Sequence, residues 1–196
     1  MTLTLTLTAA WSLSASAAAL TPDMTPEAVA TEAYARMRAG DWAAAAEAFD
    51  PEALRGFRGM FQPLLDGKGG DGLAAAFFGT GRTTAEVAKM NDAEFFAGFI
   101  RSVAGGMGGM VSLGEQRVLG GVPEGDNRTH LVVRAHAEAM GLRITQMEVV
   151  TLNRTPQGWR LAMSGEMEGF AQMMQKMMNA GPEGVPMPPP AAPRDP

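Results

Sequence analysis

THLVVRAHAEA (residues 129–139), then Met140-Gly141, then LRITQMEVVTLNR (residues 142–154) is the stretch that decides the fold. Its period is two rather than 3.6, so alternate side chains belong to opposite faces of an extended chain. Leu131, Val133, Ala135 and Ala137 share one face, with the composition of a buried surface. His130, Arg134, His136 and Glu138 share the other. A tight Met140-Gly141 turn makes the two runs antiparallel neighbours and sets Thr151, Met147, Thr145 and Arg143 opposite that polar set. Two further strands flank the pair. Val111 to Leu119 precedes a turn over Gly120 to Asn127, and Trp159 to Gly165 follows the turn Thr155-Pro156-Gln157-Gly158.

Upstream of residue 110 the period is helical. Thr25 caps a helix with Pro26 at its first position and Glu27 in its first turn, and Val29, Ala33 and Met37 form its apolar stripe. Gly40 ends it, and Asp41 caps a short second helix carrying Trp42 and Phe49. Asp50-Pro51-Glu52 repeats the cap, proline and acid order, opening a third helix with Leu54, Phe57, Phe61, Leu64 and Leu65 on one face. After a glycine break over residues 67–72 comes an apolar helix from Leu73 to Phe78, then a second break over residues 79–81. Asp92 caps a helix whose face holds Phe95, Phe96, Phe99, Ile100 and Val103, stopped by the glycines from Gly105 to Gly109. A last helix is expected over Glu168 to Asn179. Helices first and an antiparallel meander of about four strands afterwards make an α+β domain.

The chain has 196 residues, enough for one domain over residues 20–180 without metal or disulfide support. A net charge of −5 and scattered basic residues argue against nucleic acid as a partner. With no cysteine, disulfides, thiol catalysis and thiolate metal sites are excluded. Residues 1–19 are uncharged and end in a small-residue run with an Ala-x-Ala site, the pattern of a secretory signal cleaved after Ala17 or Ala19. The chain is therefore expected to be exported, periplasmic or secreted, although no Lys or Arg precedes the apolar run. That run is too short for a transmembrane span. Residues 181–196 hold seven prolines and are expected to be an extended, disordered tail.

Two short phrases carry a family resemblance. Ala35-Arg36-Met37-Arg38-Ala39-Gly40-Asp41-Trp42 through Phe49-Asp50-Pro51, and Gln157-Gly158-Trp159-Arg160-Leu161, resemble the opening and closing elements of the nuclear transport factor 2-like superfamily over roughly residues 25–165. The resemblance implies helices in the concave face of a curved, cone-shaped sheet, a pocket inside, and a homodimer through the sheet's outer face. Members include isomerases, dehydratases, adaptors and domains that only bind, so it implies no single activity. Tyr34 matches the first-helix tyrosine of ketosteroid isomerase-like enzymes. The aspartate base of those enzymes has no counterpart, because Arg55 to Leu65 holds no carboxylate. The pocket candidates are Tyr34, Trp42, Phe57, Phe61, Phe95 and Phe99.

Two other clusters invite a metal reading. His130 and His136 lie six residues apart, roughly 20 Å along a strand and too far to share one ion. Their face, with Arg134 and Glu138, reads as a solvated or dimer-facing surface. Sixteen methionines are many, and Met173, Met174, Met177 and Met178 form a stripe on the expected last helix. Thioethers are soft ligands suited to Cu(I), and the same stripe suits packing or a partner groove. The glycine stretches lack a phosphate-binding ending, and no serine sits in a nucleophile elbow. The sequence thus points to an exported, non-enzymatic domain that binds a small apolar ligand or a protein partner, with no cofactor. The alternatives are a pocket enzyme of isomerase or dehydratase type using Tyr34, and methionine-based copper binding.

Overall fold

The period-two stretch folds as a hairpin. In the computed structural model, which describes residues 19–106, 111–139, 141–165 and 169, strand β2 (Arg128–Ala139) pairs antiparallel with β3 (Leu142–Thr155). Glu138 faces Arg143, His136 faces Thr145, Arg134 faces Met147 and His130 faces Thr151. That is the register a tight turn at Met140-Gly141 dictates. The signal-like segment, the last helix with Met173, Met174, Met177 and Met178, and the proline-rich tail lie outside the described residues.

β1 (Val111–Glu124) lies on the other side of β2 and β4 (Gly158–Leu161) beyond β3, giving an all-antiparallel sheet in the order β1-β2-β3-β4. β1 runs five residues past the expected Leu119. Gly120, Gly121 and Val122 do not turn but pair with Val132, Leu131 and His130. β4 is shorter than expected, ending at Leu161 rather than Gly165, so it pairs only with Leu152 to Thr155. Among the described residues, therefore, no strand pairs along most of β3's outer edge.

Helix α1 (Pro26–Arg38), capped by the Thr25 hydroxyl, lays Val29, Ala30 and Ala33 on Leu131, Val133, Leu152 and Leu161 of the sheet. Helix α2 (Trp42–Ala46) is capped by Asp41. The chain then clips to β4: the Leu161 amide donates to Ala48 and the Asp50 amide to Leu161. Asp50 caps α3 (Pro51–Leu65) and also accepts from the Asn153 side chain at 3.1 Å, fixing that helix's start against β3.

Three helix boundaries differ from the sequence reading. Helix α4 (Gly70–Phe78) starts three residues before Leu73. Gly70 lies so close to α3 that a Cβ there would sit 1.9 Å from the Leu65 carbonyl oxygen, which explains a glycine inside the helix. Helix α5 (Thr84–Val87), absent from the sequence reading, is held by a capping box between Thr83 and Glu86. In α6 (Asp92–Gly106) the cap is Asn91, not Asp92: the Glu94 amide donates to Asn91 Oδ1 at 2.9 Å, and the Asn91 amide to Glu94 Oε2 at 2.8 Å. The helix also continues through Gly105 and Gly106.

The interior has two parts. One is the contact between α1 and the sheet. The other is an aromatic core among α3, α4 and α6, where Phe57, Phe61, Phe95 and Phe99 are buried and the Phe61 and Phe99 rings stand 4.7 Å apart. The arrangement is α+β, with the helices preceding the antiparallel sheet.

Candidate ligand-binding cleft

The short β4 creates the site. Where β4 stops, an open cleft of about 750 Å³ lies between the edge of β3 and the helices α1, α2 and α6. Tyr34 and Met37, one turn apart on α1, line one side with Trp42 of α2. Phe49, Phe96 and Ile100 form the aromatic and aliphatic back. β3 contributes Gln146 to Thr151, and the chain after β4 contributes Met163 to Gly165.

Two polar residues meet in this mainly apolar space. The Tyr34 hydroxyl donates to Glu148 Oε1 at 2.8 Å. Burial first, and then the Glu148 charge and its hydrogen bond, push the Tyr34 phenol far above its ordinary value. The phenol therefore keeps its proton, and its only proton is directed at Glu148. Among the described residues Glu148 has no ion-pair partner.

Of the residues the sequence put forward for a pocket, the structure brings Tyr34 and Trp42 together at the cleft. Phe57, Phe61, Phe95 and Phe99 pack in the helical core instead, and the cavity lined by Phe61, Phe95 and Phe99 measures only about 10 Å³. The partner of Tyr34 was not found from sequence, although a signal existed. Glu148 is directly opposite Val133, so it is an acid on the core-facing parity of β3.

The polar set on β2 lies on the opposite sheet face from Leu131 and Val133. His130 bonds Thr151 at 2.9 Å through Nδ1 and Glu124 at 2.8 Å through Nε2, and the bond to His130 is the largest influence holding the Glu124 carboxyl below its usual range. His136 bonds Thr145 at 2.8 Å, Glu138 pairs with Arg143 at 3.6 Å, and Arg134 is exposed. Each polar contact is thus a cross-strand neighbour pair or a local one. Among the described residues no group of three or more His, Cys, Asp or Glu is arranged to hold a metal ion. No described helix is long and apolar enough to cross a membrane.

No protein-family model matches the chain, and no characterised protein matches it in sequence. A solved structure does match: the solution structure of a SEC-C motif containing protein from Rhodopseudomonas palustris, 17% identical, covering 71% of this chain and 76% of that one, with a TM-score of 0.41. These findings correct the resemblance to the nuclear transport factor 2-like superfamily, which none of them supports. The physical reason lies in the two phrases that carried it, which do local work in this chain. Asp41 and Asp50 are helix caps, and Phe49 and Asp50 clip to Leu161. Gly158, at φ +102° and with Pro22 against its backbone, closes a hairpin. Any helix–turn–helix followed by a hairpin calls for such residues, whatever its ancestry.

Proposed function

We propose that this chain is an exported, non-enzymatic domain whose cleft binds a small, mainly apolar ligand. The observation that carries the reading is the cleft's make-up: about 750 Å³ walled by aromatic, aliphatic and methionine side chains around one Tyr34–Glu148 pair. Ligand sites are of this size and composition, largely apolar with a few placed polar groups. Met37 and Met163 add side chains that reshape around a guest at little cost. Export rests on residues 1–19 of the sequence. In its support, Leu20 and Met24 already pack on the sheet core, where a chain cleaved after Ala17 or Ala19 would begin. N-terminal mass spectrometry of protein taken from cells tests this, and an intact Met1 in the mature protein rejects it.

The cleft itself is tested with the neutral fluorophore N-phenyl-1-naphthylamine. Saturable enhancement that disappears in Ile100→Trp, a variant that fills the cleft while melting normally, is the expected result. Equal binding by wild type and Ile100→Trp rejects the reading. A second reading, a pocket enzyme of isomerase or dehydratase type, draws support from the same pair, since Glu148 is a titratable group beside Tyr34. Binding is the better supported, because the one proton Tyr34 could offer a substrate is already given to Glu148.

A further inference from the structure

The cleft is electrically one-sided. Among the described residues lining it, Glu148 is the one with a formal charge, and no Lys, Arg or His is present. Tyr34 occupies Oε1 and holds the carboxylate in place, and no described group bonds to Oε2. A carboxylate in mainly apolar surroundings is costly without a positive partner, and the described lining residues offer none. Tyr34, Trp42, Phe49 and Phe96 line the same cleft, and the faces of aromatic rings attract positive charge. A hard inorganic cation is poorly matched, because such ions favour several carboxylate or carbonyl ligands and here one carboxylate stands in a mainly apolar lining. Fatty acids and other apolar anions are disfavoured by repulsion from Glu148.

Resting on the reading of the cleft as a ligand site, we propose that its ligand is an organic cation, an ammonium group on an apolar body. The ammonium lies against Glu148 and the aromatic rings, and the apolar body lies along Met37, Ile100 and Met163. Tyr34 acts as the positioning residue that orients the carboxylate.

Isothermal titration of the full chain with three probes of matched skeleton tests this: 4-phenylbutyltrimethylammonium, 4-phenylbutanol and 4-phenylbutyrate. The cation is expected to bind at least about tenfold more tightly than the alcohol, and the anion most weakly. Glu148→Gln is expected to remove most of the cation's advantage over the alcohol. The order of the three probes on wild-type protein needs no variant, so the proposal remains testable should Glu148→Gln fold poorly. If the alcohol binds and the cation holds no advantage, the cation proposal is overturned and the cleft reading survives. If none of the three binds, both fall.

Discussion

The hydroxyl of Tyr34 on α1 and the carboxylate of Glu148 on β3 are joined by a 2.8 Å hydrogen bond between residues 114 positions apart in the chain. The bond ties the first helix to the third strand at the wall of the cleft. It also places the one formal charge among the described lining residues where a ligand can meet it.

Removing the hydroxyl in Tyr34→Phe leaves Glu148 without that donor. Hydrogen bonds to charged groups typically contribute about 1.5–3 kcal/mol when buried, and the partial exposure of this pair points to the lower end. The expected loss is about 1–2 kcal/mol in urea unfolding. A double-mutant cycle with Glu148→Gln should show the two losses to be non-additive, and strict additivity would mean that the bond contributes nothing.

Alkaline pH gives a second reading of the same bond. Tyr34 is the chain's one tyrosine, so tyrosinate absorbance near 295 nm reports on it alone. Its folded pKa is raised, while the unfolded chain ionises at about 10. Stability from this group is therefore complete below about pH 10 and declines as the pH rises above it, since the unfolded chain then sheds a proton that the folded chain retains. Native protein is expected to show no tyrosinate signal at pH 10.5, with stability falling above pH 10 in wild type and not in Tyr34→Phe. A native titration at the ordinary tyrosine value would contradict the burial and pairing described.

Asp50 does two tasks at once. It caps α3 by accepting from the Glu52 amide at 3.0 Å and holds Asn153 of β3 at 3.1 Å. Asp50→Ala should cost about 2–3 kcal/mol, more than the roughly 1 kcal/mol of an isolated cap. Asp50→Ser, which can still cap, should recover about half in chemical denaturation.

Arg36 is 3% exposed and joins α1 to α2: it reaches Glu32 at 2.9 Å, the Ala44 carbonyl at 2.7 Å and Glu47 at 3.2 Å. Arg36→Ala removes these contacts, and a loss of about 2–4 kcal/mol is expected. Arg36→Lys should recover only part of it, because an ammonium lacks the planar fork that serves several acceptors at once. The thermal melts of the three proteins check the order.

Local grammar was readable from the sequence, and tertiary closure was not. The β2–β3 register followed from a turn too short to allow slippage. The starts of α1 and α3 followed from Thr25-Pro26-Glu27 and Asp50-Pro51-Glu52. Helix α5 escaped because four residues are too few to show a period, even though Thr83 and Glu86 carried the capping-box spacing. Gly120 and Gly121 read as a turn, yet the neighbouring strand supplied partners that propensity could not reveal. Residues 162–165 continued the strand pattern past the point where β4 ends. The cleft exists because of that early ending and is walled by α1, α2, α6 and β3, so no single window of sequence contains it. Of its polar pair, Tyr34 stood out as the lone tyrosine. Glu148 could be found only by following the strand's parity from Val133 across the hairpin.

The chain's own methionines supply the most direct test of the cleft as a ligand site. Met37 and Met163 line it, Met163 also touching the aromatic core of the helices, whereas Met60 and Met90 pack against that core and do not line the cleft. With the methionine methyl groups labelled with carbon-13, the full chain is titrated with 4-phenylbutanol and followed by NMR. The methyl signals of Met37 and Met163 are expected to move together and saturate, with Met60 and Met90 unmoved. Saturable shifts at Met60 and Met90 alone, or none at any of the four, would contradict the assignment of the cleft.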